Sequence, residues 1–406
     1  MTTSTNIKEA ILDKKSYFCI KRFKILGINV EYPLKVISIK KIPRKIFSEY
    51  EEVIPQKKRI FENSIIVVKP ERVVKVVESD NDEVRNKHFG SRDWAKPLAI
   101  PITLNFNPLK DIQDRSIWTT YLDYYHEHAS ILFVPNIRVW RTIEIKQEDG
   151  RSKRQRVWII DVDEYLRFVD DAVEILSYKN SKPIFVPMSL KFQSKEKLNR
   201  IVSHYLRREY FNIWIDFEGG ALSKNNRARL RIILRQIEDS GRLEDVVLYV
   251  TNIKPEIESN YKEIYAPASD PLVPILGASM VGGNREPLRR IERPPAMKLP
   301  EDLIDLHKSR IFDPNTYFYV RPDALQDEFL IARITKEKSY REIVNSVRLY
   351  NEFVKQHQYF LENGEIENYV SQKEMVKTYD DGALIDELFS RRPPSKVSLL
   401  DIYSER

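Results

Sequence analysis

Asp216 and Glu218 lie two positions apart at the end of an apolar run, NIWIDFE, and Gly219–Gly220 follow them. Residues two apart on a strand face the same way. Two carboxyl groups on one wall can divide acid and base work when their surroundings push their pKa values apart. Other apolar runs also end in polar residues. ITLNFNP carries Asn105 and Asn107, ILFVPNIRV carries Asn136 and Arg138, FVPMSLKF carries Ser189 and Lys191, and VVLYVTNIK carries Asn252 and Lys254. If these runs are neighbouring parallel strands, their last side chains meet in one hollow. Asp216, Glu218 and Lys191 are then the candidate catalytic groups. Asn105, Asn136, Arg138, Gly219, Gly220 and Asn252 are the candidate substrate-binding residues. The alternative is a salt-bridged polar plug that only completes a core.

The elements needed to position these residues are legible as a beat of strand and helix. Strands are expected over Ala99–Asn107, Ile131–Val139, Pro183–Phe192, Asn212–Glu218, Val246–Lys254 and Leu272–Ala278. Amphipathic helical stretches alternate with them, with Asp161 or Asp163 and Ser194 as N-caps. Such alternation gives a parallel sheet covered by helices. Strands of an open, doubly covered sheet read as continuously apolar, whereas barrel strands push their last inward side chains into a mouth. The expected fold is therefore α/β, a TIM-type (β/α)8-like barrel over residues 98–290. Residues 140–160 interrupt it as a hairpin, two alternating runs around Asp149–Gly150.

Residues 1–77 read as a small β-rich unit, and residues 291–406 as an irregular proline-rich segment followed by helices, broken at Asn363–Gly364. The chain has a net charge of +7, and residues 1–75 alone carry 17 Lys and Arg against 8 Asp and Glu. A basic end on a near-neutral body is the pattern of a nucleic-acid partner. The candidate phosphate contacts are Lys40, Lys41, Arg44, Lys45, Lys57, Lys58 and Arg59, with Arg151, Lys153 and Arg154 on the hairpin. A solvated basic surface is the plainer account of the same charge.

Several classes of function lack their signatures. There is no GxxxxGK[ST], GxSxG or HExxH, and the 11 glycines form no GxGxxG. The single cysteine, Cys19, allows no internal disulfide or multi-cysteine zinc site. His126 and His128, two apart on an expected helix, do not face each other. No metal and no cofactor are expected. No run of eighteen apolar residues and no apolar leader occur, so no membrane partner and a cytoplasmic location are expected. The charged composition with one cysteine also suits a thermophile.

The order of these segments resembles the tRNA-guanine transglycosylase barrel. IDFEGG (215–220) echoes that family's IGG-like strand end. YNEFVKQHQYFLENGEIENYV (350–370) has the cadence of the helices that close archaeal members, with Asn351 standing for the family's asparagine. The resemblance implies a barrel of residues 98–372 that receives a nucleobase from tRNA. The chain departs from the family's pattern where the chemistry lies. Its first strand ends in Asn105 and Asn107, the late segment reads Gly277, Ala278, Ser279, Met280, and the zinc cysteines are absent. An asparagine is no carboxylate nucleophile. The expected function is thus binding of tRNA or other nucleic acid, RNA or DNA, by a base-modifying or non-catalytic relative. An active form would be a base-exchanging glycosyltransferase or a hydrolase. The alternatives are a small-molecule hydrolase using Asp216 and Glu218, and a structural subunit of a homo-oligomer or larger assembly.

Overall fold

The computed structural model describes residues 6–31, 33–39, 42–55, 59–90, 92–146, 152–179, 182–192, 194–258, 263–284, 310–325 and 327–391. The proline-rich stretch expected after residue 290 lies outside the described residues up to 309.

Short parallel ladders organise the core. Ile184–Ser189, Asn212–Asp216 and Val247–Thr251 pair side by side, as their uninterrupted burial requires. Leu132–Phe133 pairs with the first of them and Met280–Val281 with the last. Met280–Val281 also pairs with Leu34–Lys35, and Ile37–Ser38 pairs with Phe61–Glu62. Phe61–Glu62 pairs with Leu98–Ala99, and Ile66–Val68 with Ile102–Leu104. Ile102–Leu104 pairs with Asn136–Ile137, and Ala99 bridges Ile131. The result is an α/β fold built on a parallel sheet.

Two expectations fail here. Residues 34–68 do not belong to a separate N-terminal unit, because they supply the strands on either side of the sheet's first and last ladders. Their charges misled the reading. Lys35 looks like a solvent-facing member of an alternating strand and Glu62 like part of the polar link before one, yet both are buried. The expected strand Leu272–Ala278 is instead two 3-10 turns, Asp270–Leu272 and Pro274–Leu276, and the strand follows at Met280. Pro271 and Pro274 each lack the N–H that a ladder needs and have φ preset for a helical turn. Gly277 then reverses the chain at φ 82, and an added Cβ would lie 2.9 Å from Leu234 Cδ2. An L-residue in this left-handed region costs about 1–2 kcal/mol. Gly277→Ala is expected to lose that much in a denaturant titration, and an unchanged midpoint would contradict this reading of the turn.

Helices cover the strands. Arg115–His128, Val162–Ser177, Lys195–Arg207 and Lys224–Asp239 follow successive strands. Asp161 and Ser194 cap two of them by accepting from Glu164 N and Lys197 N. Arg227 on the last of these is buried: it is 1% exposed, donates to Leu222 O, and is paired with Glu387 at 2.6 Å.

The antiparallel strands Asn6–Leu12, Cys19–Ile25 and Ile28–Val30 sit at the amino ends of the sheet strands. Lys21 Nζ donates to the carbonyls of Leu243 and Val246, which lead into Val247–Thr251. This meander therefore lies at the pole opposite the strand carboxyl ends. The long helix Lys338–Asn363 ends at Gly364, φ 74, as the Asn363–Gly364 break predicts, and shorter helices follow it. Asn351 is exposed on it. Among the described residues, no helix is long and apolar enough to cross a membrane.

Candidate functional site

Five parallel strands deliver their carboxyl ends to one cleft of about 1150 Å³. Lys69 follows Ile66–Val68, Asn105 follows Ile102–Leu104, Arg138 follows Asn136–Ile137, Lys191 follows Ile184–Ser189, and Glu218 follows Asn212–Asp216. The hairpin forms the outer wall. Trp140–Lys146 pairs antiparallel with Ser152–Trp158, which places Trp140 directly opposite Trp158. Directly paired residues share a face. Both rings line the cleft, and Trp158 is 59% exposed.

Cations predominate on the walls. Lys69, Lys110, Arg138, Arg141 and Lys191 face Glu71, Asp111 and Glu218. Lys110 is paired with Glu164 at 2.5 Å. Arg138 Nε is buried without a hydrogen-bond partner among the described residues. The Lys191 ammonium lies 5.9 Å from the Trp140 ring centroid, and the Arg156 guanidinium lies 4.4 Å from that same centroid. Lys197 Nζ lies 5.2 Å from the Trp158 centroid. Such cation–π contacts hold the indoles in place without consuming the cations' hydrogen-bonding capacity.

Asp216 does not line the cleft. It is 3% exposed and accepts from Thr103 Oγ1 at 3.0 Å, Asn252 Nδ2 at 2.7 Å and Glu218 N at 2.7 Å. Burial pushes its carboxyl above the ordinary range, against those hydrogen bonds and the nearby Arg138 charge. The regular strand stops at Asp216, and Glu218 has φ 50, so the two carboxylates do not share a wall as strict alternation would have them. Asp216 holds the turn that presents Glu218. Asn252, also left-handed at φ 57, and Gly219, φ 74, belong to that turn: Gly219 N donates to Asn252 O. Gly220 closes it, because a Cβ there would lie 3.0 Å from Phe217 O. Asn136 is fully buried and accepts from Tyr165 OH at 3.2 Å, so it faces a helix residue and not the cleft. Of the expected mouth residues, the cleft collects Asn105, Arg138, Lys191 and Glu218. Asp216, Asn252 and the glycines lie beneath or beside it.

The expected phosphate contacts divide. Arg44 and Lys45 are exposed on the short helix Arg44–Ser48. Arg59 is spent on packing: its guanidinium donates to Ile54 O and Glu51 O and lies over Phe47. Lys40, Lys41, Lys57, Lys58 and Arg151 lie outside the described residues, as do the side chains of Lys153 and Arg154.

The sequence reading missed a second buried polar cluster. Glu62 accepts from Tyr249 OH, Thr251 Oγ1 at 2.7 Å and Gly283 N at 2.9 Å, and burial raises its pKa. A Cβ on Gly282 would collide with Glu62 Oε2 at 2.2 Å. Lys35 Nζ donates to Gly282 O. Asp270 accepts from Tyr319 OH and Asn284 Nδ2. No letter pattern separates these buried charges from solvated ones, so the sequence carried no signal for the cluster. Only about 20 Å³ of open space reaches this cluster, room for a water molecule. Among the described residues, no three His, Cys, Asp or Glu side chains are grouped to hold a metal ion.

No protein-family model and no curated protein matches the chain. Among solved structures, it is similar to a mutant flavocytochrome b2 with benzoylformate (13% identity, 98% of this chain and 80% of that one, TM-score 0.37). It is also similar to GH26C from Muricauda sp. (8% identity, 63% and 79%, TM-score 0.36) and to the aldolase QR15 (12% identity, 62% and 89%, TM-score 0.30). Scores this low carry no inference about substrate, and the fold description rests on the strand ladders.

Proposed function

We propose that the parallel ladders constitute a complete (β/α)8 barrel whose mouth binds nucleic acid through one nucleotide seated in the strand-end cleft. The observation that carries this reading is Arg138. Its guanidinium opens on a cleft rich in cations, has no ion pair among the described residues, and is flanked by Lys191 and two indole rings. A guanidinium binds phosphate through a planar fork of donors. An indole offers a face to any base. Asn105 and Glu218 supply hydrogen-bonding groups for a base edge on the same floor. Segment order like that of the transglycosylase barrels fits a mouth that has kept base recognition without base exchange. The hydrolase reading is weaker, since Asp216 is occupied by three donors and leaves Glu218 as the accessible member of the pair.

The test is binding of a labelled oligonucleotide at low and moderate salt. Affinity for the wild type is expected to fall steeply with salt, as phosphate contacts require. Arg138→Ala and Lys191→Ala are each expected to weaken binding about tenfold and to flatten the salt slope by about one. Absent binding, or binding indifferent to both salt and Arg138, contradicts the proposal.

A further inference from the structure

We infer that the cleft takes single-stranded nucleic acid in preference to duplex, with Trp158 as the stacking platform; this rests on the reading of the cleft as a nucleotide site. Trp158 is the most exposed of the five tryptophans, yet it belongs to the wall of a cavity and not to open surface. Lys197 sits over its ring at 5.2 Å, which fixes the indole in a cationic setting. Its cross-strand partner Trp140 is already flanked by Arg156 and Lys191. With one neighbouring cation against the two at Trp140, and largely exposed, Trp158 is the ring more open to an incoming planar group.

Register extends the same face along the hairpin. Thr142 pairs with Arg156, so these residues share the side that carries Trp140 and Trp158. An aromatic pair followed by arginine along one ribbon face matches a strand whose bases stack at the base of the hairpin while its phosphates track outward. A duplex cannot use this arrangement. Its bases are already stacked and paired, and a cleft of about 1150 Å³ admits a nucleotide but not the body of a double helix. Duplex phosphates can reach only the rim cations. Stacking on an aromatic side chain is sequence-tolerant, so the preference is for an unpaired strand and not for a base.

The experiment measures anisotropy of a labelled twelve-nucleotide RNA, the DNA of the same sequence, and the blunt duplex of each, against wild type, Trp158→Ala and Arg138→Ala. Because Trp158 is largely exposed, Trp158→Ala is expected to keep the wild-type denaturation midpoint, which confirms that the variant folds. The single strands are expected to bind wild type at least tenfold tighter than the duplexes. Trp158→Ala should lose about tenfold for single strands and leave duplex binding unchanged, as stacking losses of this kind predict. The RNA and DNA arms identify which strand is preferred. Equal affinity for single strand and duplex, or a ratio that survives Trp158→Ala, overturns the inference alone. No binding by any probe overturns the nucleotide reading and this inference with it.

Discussion

Trp214→Ala should destabilise the protein by about 3–5 kcal/mol, the range for deleting a large buried aromatic side chain. Trp214 is fully buried in the central strand Asn212–Asp216. Its ring stacks on Phe133 at a centroid distance of 5.0 Å and 15°. Phe133 in turn packs edge-on against Tyr249 at 4.8 Å and Phe185 at 5.6 Å. These four rings come from four strands, so they pack together on one face of the parallel ladders. Trp214 Nε1 also donates to Val134 O at 3.0 Å. Trp214→Phe keeps much of the stack but leaves that buried carbonyl unpaired, at a cost of about 1–3 kcal/mol. Denaturant titration of both variants checks the order. A loss below about 1 kcal/mol for the alanine variant would mean that these rings do not form a packed core.

The second large effect is a pair of opposed pH dependences. His88 is 8% exposed, and burial, with the nearby Arg72 charge, pushes its pKa down to about 4. Arg72 Nε donates to His88 Nδ1 at 3.1 Å, which requires the lone pair on that nitrogen and fixes the neutral ring. The unfolded chain takes up a proton near pH 6.5 and the folded one near 4, so stability is lost as pH falls through this window. The full span is on the order of 3 kcal/mol. Asp270 runs the other way. Burial raises its pKa to about 6, against an ordinary value near 3.8. The folded chain holds this proton longer than the unfolded one, so stability is lost as pH rises from about 4 to about 6. This span is also on the order of 3 kcal/mol. The wild type should therefore show a nearly cancelled dependence from these two groups. His88→Gln should expose the decline with rising pH, and Asp270→Asn should expose the gain. Unfolding free energies at pH 4, 5, 6 and 7 check this, and parallel curves for all three proteins would contradict it.

Much of the sheet is legible in the sequence, because Ile184–Ser189, Asn212–Asp216 and Val247–Thr251 are apolar enough to declare themselves as buried strands. The strands holding Lys35 and Glu62 are not, since a buried charge paired inside the core has the same letter pattern as a solvated one. The hairpin is visible in its alternation and turn. Its role is less visible, because attention to its basic tip passes over Trp140 and Trp158 at its base. The pairing of Asp216 with Glu218 fails for a backbone reason. Two-residue periodicity holds only while the strand is regular, and Glu218 lies past its end with φ 50. Asn136 misleads similarly, its strand being broken after Phe133 and resumed at Asn136. Arg138, Lys191 and Asn105 stay legible because each lies just beyond a parallel strand's carboxyl end and opens on the cleft.

Photocrosslinking addresses the location of the nucleotide most directly. A single-stranded RNA carrying one 4-thiouridine is irradiated with the wild-type protein, and the crosslinked peptides are mapped. The label is expected on the hairpin base around Trp140 and Trp158 and on the segments bearing Arg138 and Lys191, and Arg138→Ala should reduce it. Crosslinks confined to the N-terminal strands 6–30 at the opposite pole, or a yield indifferent to Arg138, would contradict a nucleotide seated at the strand ends.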